Sequence, residues 1–181
     1  PYCYKTYKIL DNGPLRFTVQ LEYNPFTIGS DKNVVEHRII SCDKGSNFNK
    51  MTVWYDGLTA QRDLAAGIVI HSEDTKSVLY GSDYVLYADP TDNPTKQKFQ
   101  IYVGVLFPNG VSTTKAMMYD TPSNGNSGHG VGVVSYKPGM KYTYYFGSAW
   151  SKNDVRTLNE WKLRAEETLG ALRAPLKVTV K

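Results

Sequence analysis

Alternating apolar and polar residues identify the first clear strand of the chain, at residues 15–23. Large apolar residues occupy every second position, and Arg, Thr, Gln and Glu fill the positions between them. Because successive side chains of a strand point to opposite faces, this period of two predicts a strand with one buried and one hydrated face. Residues 11–14 (Asp-Asn-Gly-Pro) are predicted to form the turn before it, since glycine and proline favour a change of direction.

Further segments have the composition of strands and are separated by residues that favour turns. They are residues 34–41, 51–55, 64–71, 85–88, 99–107, 115–119, 131–136 and 141–146. The last two are predicted to form a hairpin around Lys-Pro-Gly at 137–139. The Gly-rich segment 121–130 is predicted to be a long flexible loop.

The C-terminal part of the chain changes to a helical period. Thr157 and Glu160 fit a capping box, in which each side chain accepts a hydrogen bond from a backbone N–H at the start of the helix. Pro175 is predicted to end the helix, and alternation over residues 176–181 predicts a final strand that returns to the sheet. One apolar stripe of the helix consists of Leu158, Trp161, Ala165, Leu169 and Leu172.

About ten short strands separated by turn signals predict a mainly β fold, an antiparallel sandwich or barrel in preference to a βαβ architecture. The single amphipathic helix is expected to pack on a sheet face or to close one end. The sequence shows no internal repeat and no linker. Residues 1–181 are therefore expected to form one domain, which is long enough to bury a core.

Charge and hydropathy narrow the range of partners. The net charge of +4 is mild and lysine and arginine form no block, so the electrostatic pattern of a nucleic-acid-binding protein is absent. A weak preference for acidic ligands, such as uronic-acid sugars, is compatible with this charge. No apolar run approaches the length of a membrane span. Cys3 and Cys42 leave two alternatives open, one disulfide or two structural thiols.

Motifs of the common enzyme and metal-site classes are absent from the sequence. It contains no Gly-rich phosphate loop, no His-Glu-x-x-His, no Cys-x-x-Cys and no Gly-x-Ser-x-Gly elbow, and no metal or cofactor is predicted. Three histidines are candidates for proton transfer, because imidazole titrates near neutral pH. His37 belongs to an alternating strand, His71 ends an apolar strand, and His129 lies between two glycines that would expose it. The alternative for each is a solvated or hydrogen-bonded histidine without a catalytic role.

Two further groups of residues are candidates for sugar binding. Glu36 and Arg38 lie two positions apart, hence on one face of their strand, where they could hold a sugar or a carboxylate. The alternative is an exposed charge ladder. In the aromatic segment 142–152, Tyr145 and Trp150 could offer rings and a hydroxyl to a sugar. The alternative for Trp150 is that it fastens the sheet to the helix.

Several of these stretches occur in the same order in a known group of proteins. They are residues 12–16 (Asn-Gly-Pro-Leu-Arg), 36–41 (Glu-His-Arg-Ile-Ile-Ser), 65–69 (Ala-Ala-Gly-Ile-Val), 144–152 (Tyr-Tyr-Phe-Gly-Ser-Ala-Trp-Ser-Lys) and 172–178 (Leu-Arg-Ala-Pro-Leu-Lys-Val). Over nearly the whole chain they resemble a bacterial family of unknown function found among polysaccharide-utilisation proteins. The aromatic-Gly-Ser-Ala-Trp-Ser-Lys motif is the most specific part. The positions that match the family pattern are Arg16, Arg38, His129, Trp150 and Lys152.

The resemblance implies a β-sandwich similar to the galactose-mutarotase-like supersandwich, located in the periplasm or at the cell surface, with a role in processing plant or algal glycans. It also implies a longer protein, of which this chain would be the C-terminal half. Besides a carbohydrate ligand, an N-terminal half or a second copy of the chain is therefore an expected partner.

Mutarotase-like sandwiches work in a concave sheet face, and this analogy assigns roles to individual residues. His129 would be the acid or base, Arg38 would hold a carboxylate or hydroxyl, and the two would form the catalytic set. The residues predicted to bind the substrate are Trp150, Tyr145, Glu36, Lys152 and His71.

Three functions are compatible with this picture. The first is an enzyme, or the catalytic half of one, that acts on a sugar or oligosaccharide, and the second is a non-catalytic carbohydrate-binding module. The third is a structural domain without a sugar ligand, in which Trp150 and Tyr145 would be fully buried against the helix. The sequence favours a carbohydrate-processing protein, and it leaves open whether the protein is an enzyme.

Overall fold

The structure is a computed structural model that describes residues 3–71, 75–89 and 99–179. It confirms a mainly antiparallel β fold with an amphipathic helix near the C terminus. The elements are β1 (Tyr4–Asn12), β2 (Arg16–Tyr23), β3 (Phe26–Ile28), β4 (Asp31–Asp43), β5 (Phe48–Asp56), β6 (Arg62–Ile70), β7 (Val78–Tyr80), β8 (Tyr84–Asp89), β9 (Ile101–Leu106), β10 (Thr113–Ser123), β11 (Asn126–Tyr136), β12 (Tyr142–Trp150) and α1 (Leu158–Arg173).

Two sheets pack face to face. The large sheet has the order β1-β2-β4-β5-β12-β9-β8-β7, with β3 also paired to β4, and the small sheet has the order β10-β11-β6. The face of the large sheet that lies toward the small sheet is called the inner face below, and the opposite face the outer face. Side chains from both sheets, among them Val53 and Val105 of the large sheet and Ile70 of the small one, form the core between them.

The last strand of the large sheet does not form the hairpin predicted for residues 131–146. Both edges of β12 are already occupied, because Tyr142 lies opposite Val53 of β5 and Phe146 lies opposite Val105 of β9. Strand β11 pairs instead with β10 and β6. The segment between β11 and β12 therefore crosses from one sheet to the other.

The Gly-rich segment predicted to be a flexible loop is mostly strand. Only a tight turn at Asn124 and Gly125 interrupts it, and both residues have positive φ (52° and 78°), as the two-residue turn of a hairpin requires. Glycine is needed at Gly132 because a Cβ atom there would lie 2.3 Å from the ring of Phe107. The glycines were interpreted as a sign of flexibility, whereas they allow the small sheet to approach the core closely.

The helix packs on the outer face of the large sheet. Its predicted stripe is confirmed, with Trp161, Ala165 and Leu169 buried against a second apolar cluster that includes Leu86 and Leu106. Burial of such apolar side chains contributes roughly 1.5–3 kcal/mol each. The helix is therefore held mainly by its contact with the sheet.

The predicted helix cap is present in a modified form. The hydroxyl of Thr157 accepts a hydrogen bond from the backbone N–H of Glu160, at 3.1 Å. The carboxylate of Glu160 accepts from the N–H of Arg156, at 2.6 Å, and so binds one residue before the capping residue. Both interactions satisfy backbone donors that the first turn of a helix leaves free.

At the ends of the chain, one predicted strand is absent and one observed strand was not predicted. No strand follows the helix within the described residues, where Leu176 and Val178 are 94% and 84% exposed, because a strand needs a paired edge and this segment meets none. Conversely, β1 was missed. Register shifts beside Tyr4 and between Ile9 and Asp11 interrupt its alternation, so the sequence shows no simple period of two there.

The described residues contain no helix long and apolar enough to cross a membrane. Cys3 and Cys42 are both free thiols, so of the two alternatives for the cysteines the structure has the unbridged one.

Candidate functional site

A groove of about 450 Å³ lies between the two sheets on the inner face of the large one. Its walls are mostly apolar and aromatic, with a few polar groups, which is the usual composition of a site for a small molecule. The lining residues are Asn49, Met51, Gly67, Ile68, Val103, Gly104, Tyr144, Phe146, Gly147 and Ser148.

The strand register explains why these residues meet. Tyr144 lies opposite Met51 of β5, and Phe146 lies opposite Asn49, so alternate residues of two distant segments share one face. Ser148 lies opposite Val103 of β9 and extends the same row. The floor of the groove is thus a row of β12 side chains with β5 and β9 on either side.

Arg38 and Glu36 lie beyond one end of this floor. Arg38 pairs with Val53, a core residue of the inner face, and this register places Arg38 and Glu36 on the same inner face. The Nε–H of Arg38 donates to a carboxylate oxygen of Glu36. The guanidinium also lies over the ring of Tyr23, 4.7 Å from its centroid. The predicted pair is therefore a held polar group and not an exposed charge ladder.

Two further tyrosines surround this pair. Burial raises the pKa of Tyr55, and the neighbouring carboxylate of Glu36 raises it further. Burial likewise raises the pKa of Tyr144, although the positive charge of Arg38 acts in the opposite direction. Burial lowers the pKa of Arg38, but attraction to Glu36 outweighs this effect and the net pKa is raised. Arg38 is therefore charged and both phenols are neutral near neutral pH.

Trp150 lies beyond the other end of the floor. It is the last residue of β12, it pairs with Ile101, and it is 44% exposed. Its ring meets that of Phe99 edge to face, with centroids 5.5 Å apart. The ammonium of Lys152 lies 4.5 Å from the centroid of Phe99 and 5.8 Å from that of Trp150. By alternation from Ser148, Trp150 belongs to the inner face, as Arg38 does.

The motif around Trp150 has a structural role at each neighbouring position. Gly147 is required because a Cβ atom there would lie 2.0 Å from the carbonyl oxygen of Asn47. Ala149 is buried in the cluster beneath the helix. The hydroxyl of Ser151 accepts from the N–H of Gln100, at 2.7 Å, and fixes the strand end. These contacts hold the indole in place while leaving it open to solvent.

Tyr145 lies on the outer face, away from the groove. It is half-buried beside the helix-side cluster, and burial followed by the nearby carboxylate of Asp43 raises its pKa. The structure therefore separates Tyr145 from Trp150, Arg38 and Glu36. The complete burial of Tyr145 and Trp150 that a purely structural domain predicts is not found.

The histidines lie outside the groove lining as well. His71 follows β6, and its Nδ1 lies 2.9 Å from a carboxylate oxygen of Asp89. His37 is on the outer face, where it stacks on Trp54 with centroids 4.9 Å apart and approaches Asp56 to 2.9 Å.

His129 belongs to β11 and faces away from the large sheet. Cβ atoms at Gly130 and Gly132 would meet Val85 and Phe107 of the large-sheet side, so His129, one position before Gly130, points to the opposite side. Its Nδ1 lies 3.0 Å from the hydroxyl of Tyr119. The structure therefore does not bring His129 together with Arg38.

The sequence did not predict that tyrosines gather around Arg38, and it did not predict the residues that line the middle of the groove. Tyr23, Tyr55 and Tyr144 come from three strands, and only the pairing register shows that they converge. The signal that could have shown this is the alternation of side chains between the two faces of each strand. Each lies on the apolar side of its own alternating segment, as Arg38 does in β4. The resulting surface offers aromatic faces, hydroxyls and a fixed cation within reach of one groove.

Comparison with known proteins gives a family and one curated relative. The relative is "Uncharacterized protein P7" of Formosa agariphila, 25% identical over an alignment of 181 positions that covers 97% of this chain and 42% of that protein. The chain thus spans less than half the length of the curated relative. The family profile described as "Domain of unknown function (DUF4861)" matches residues 1–178. The chain belongs to this family.

Proposed function

We propose that this protein processes carbohydrates and binds a sugar or oligosaccharide in the groove between its sheets. One observation carries the proposal. An exposed indole, Trp150, and a held ion pair, Glu36–Arg38, lie on the same sheet face at opposite ends of an aromatic floor. Sugars need both kinds of contact, because their C–H faces stack on aromatic rings and their hydroxyls need donors and acceptors.

The dimensions of the floor favour an oligosaccharide over a single sugar. From Tyr144 to Trp150 the strand advances six residues, which at about 3.3 Å per residue corresponds to about 20 Å. A chain of several sugar units would contact both ends. The asparagine and serine of the lining, Asn49 and Ser148, supply polar contacts between them.

The resemblance to mutarotase-like sandwiches supports a processing role, since these proteins work in a concave sheet face. A place in bacterial polysaccharide utilisation, in the periplasm or at the cell surface, belongs to the same proposal and rests on the resemblance alone. In this proposal Arg38 and Glu36 hold the sugar, and the neutral phenol of Tyr144 is a proton donor on the floor.

A non-catalytic carbohydrate-binding module is the second candidate. No described residue of the groove lining carries a carboxylate, and Glu36 already binds Arg38. Two carboxylates at a defined separation, which most glycosidases use, are therefore not found among the described residues of the groove. Binding without turnover would select this candidate.

The test is a binding and turnover screen of the 181-residue chain with neutral and acidic oligosaccharides. We expect binding to at least one glycan class and a loss of at least about tenfold in affinity for Trp150→Ala, because the stacking surface is removed. Chromatography of the incubated glycan then separates an enzyme, which changes it, from a binding module, which leaves it intact. Absence of binding to every glycan would contradict both candidates.

A further inference from the structure

Arg38 retains unused hydrogen-bond donors. Among the described residues, its one hydrogen bond runs from the Nε–H to Glu36. The two terminal nitrogens, Nη1 and Nη2, have no acceptor among the described residues, and neither is a buried atom. A guanidinium bound through Nε keeps the fork formed by its two terminal nitrogens, which matches the two oxygens of a carboxylate.

The guanidinium is also fixed in orientation. Glu36 holds one edge and the ring of Tyr23 covers one face, so little freedom remains to be lost when a ligand binds. The side chain of Glu36 is 12% exposed and that of Arg38 is 36% exposed. A ligand that approaches from solvent therefore meets the cation, while the carboxylate of Glu36 lies deeper beneath it.

A second cation lies at the other end of the floor. The ammonium of Lys152 has no carboxylate partner among the described residues, and it is placed beside the ring of Trp150. A sugar stacked on this indole would carry any acidic substituent toward Lys152. The net charge of +4 on this chain also favours acidic ligands.

We infer that the groove selects oligosaccharides that carry carboxylates, with a sugar carboxylate bound by the Nη1 and Nη2 atoms of Arg38 and a second acidic group close to Lys152. This inference rests on the proposed function and adds the substrate class to it. A planar carboxylate is the group that the terminal fork of a guanidinium fits best. Neutral glycans would offer no anion to the terminal nitrogens of Arg38 or to the ammonium of Lys152.

The experiment compares each acid with its own ester. Oligomers of galacturonate, glucuronate, mannuronate and guluronate are titrated calorimetrically into the protein, each beside its methyl ester, together with neutral cello-, xylo- and mannooligosaccharides. We expect at least one acid to bind, and its ester, which has the same rings and linkages without the charge, to bind at least about tenfold more weakly. The affinity for the acid should also fall as salt is added.

Variants then assign the effect to Arg38. Arg38→Lys keeps the charge and removes the fork, and it should weaken binding of the acid about tenfold or more while leaving the ester unchanged. Arg16→Lys is the matched control, because Arg16 pairs with Asp43 on the outer face and should have no effect. Thermal denaturation of both variants checks that they fold, and the comparison of acid with ester in the wild type needs no variant.

Two results would overturn the inference and leave the proposed function intact. One is equal affinity for acid and ester, and the other is binding of neutral oligosaccharides alone. Failure of every acidic and neutral glycan to bind would instead contradict the proposed function, and the inference with it.

Discussion

The indole of Trp161 stacks on the ring of Phe48, with centroids 4.6 Å apart and planes 13° from parallel. Its N–H donates to the carbonyl oxygen of Val103, at 3.0 Å, and its side chain is fully buried. Trp150, at the end of β12, is by contrast 44% exposed, and its indole N–H has no acceptor among the described residues. The residue that fastens the sheet to the helix is therefore Trp161, and Trp150 remains open for contact with a ligand.

Replacing Trp161 should strongly destabilise the fold. We expect Trp161→Ala to lower the free energy of unfolding by about 3–5 kcal/mol, because it leaves a large cavity between the helix and the outer face. Urea unfolding followed by circular dichroism measures the change. Trp150→Ala is the matched control and should cost less than about 1 kcal/mol. Similar costs for both tryptophans would contradict the roles assigned to them.

Two glycines should respond in opposite ways to the addition of one methyl group. Gly147→Ala should cost about 1–3 kcal/mol of stability, because the new Cβ meets the backbone oxygen of Asn47, which cannot move without the strand. Gly170→Ala adds the same group in the helix, where nothing lies within 4 Å, and should stabilise the protein by up to about 1 kcal/mol. We expect the melting temperature of Gly147→Ala to lie below that of the wild type and that of Gly170→Ala to lie above it.

Stability should fall in alkaline solution. Burial raises the pKa of Tyr142 to about 12 from the value of 10.0 that it has when exposed. Between these values the unfolded chain has lost the proton that the folded chain keeps, so the unfolded state binds fewer protons and is favoured as pH rises. Well below the exposed value of 10.0, Tyr142 is protonated in both states and does not change how the free energy of unfolding depends on pH.

The check is the free energy of unfolding at about pH 8 and at about pH 11. Tyr142→Phe should reduce the loss of stability between the two conditions, because phenylalanine does not titrate. The remaining loss belongs to other buried phenols, of which Tyr55 is one. An unchanged difference in the variant would show that Tyr142 titrates at the same pH in the folded and unfolded chain.

His129→Ala should leave glycan binding and turnover unchanged. The imidazole lies in β11, on the face of the small sheet that points away from the groove, and its contact is with Tyr119. Calorimetry and product chromatography with the glycan found in the screen measure both properties, and Arg38→Lys provides the comparison. A loss of turnover without a loss of binding would contradict this prediction and show that His129 takes part in catalysis.

Local patterns predicted the strands and the helix because these depend on neighbouring residues. Residues 15–23 alternate cleanly and form β2, and the stripe centred on Trp161 forms the buried side of the helix. The pair Glu36–Arg38 was found because two residues two positions apart on a strand must share a face.

The remaining features depend on contacts between distant parts of the chain. The meeting of Tyr144 with Met51, and the placement of Trp150 and Arg38 on one face, follow from the insertion of β12 between β5 and β9, which no local pattern shows. His129 was placed in a loop because glycine was interpreted as a sign of flexibility. In the structure Gly132 meets the ring of Phe107 and permits close packing instead.

The position of β12 also determines when the large sheet can be completed. Strands β5 (Phe48–Asp56) and β9 (Ile101–Leu106) flank β12 (Tyr142–Trp150), which is made after both of them. Until the ribosome releases β12, the edges of β5 and β9 that it will occupy remain unpaired. Unpaired strand edges can pair with other chains, which leads to aggregation. Slow refolding and a requirement for dilute conditions or a chaperone are the expected consequences of this late insertion.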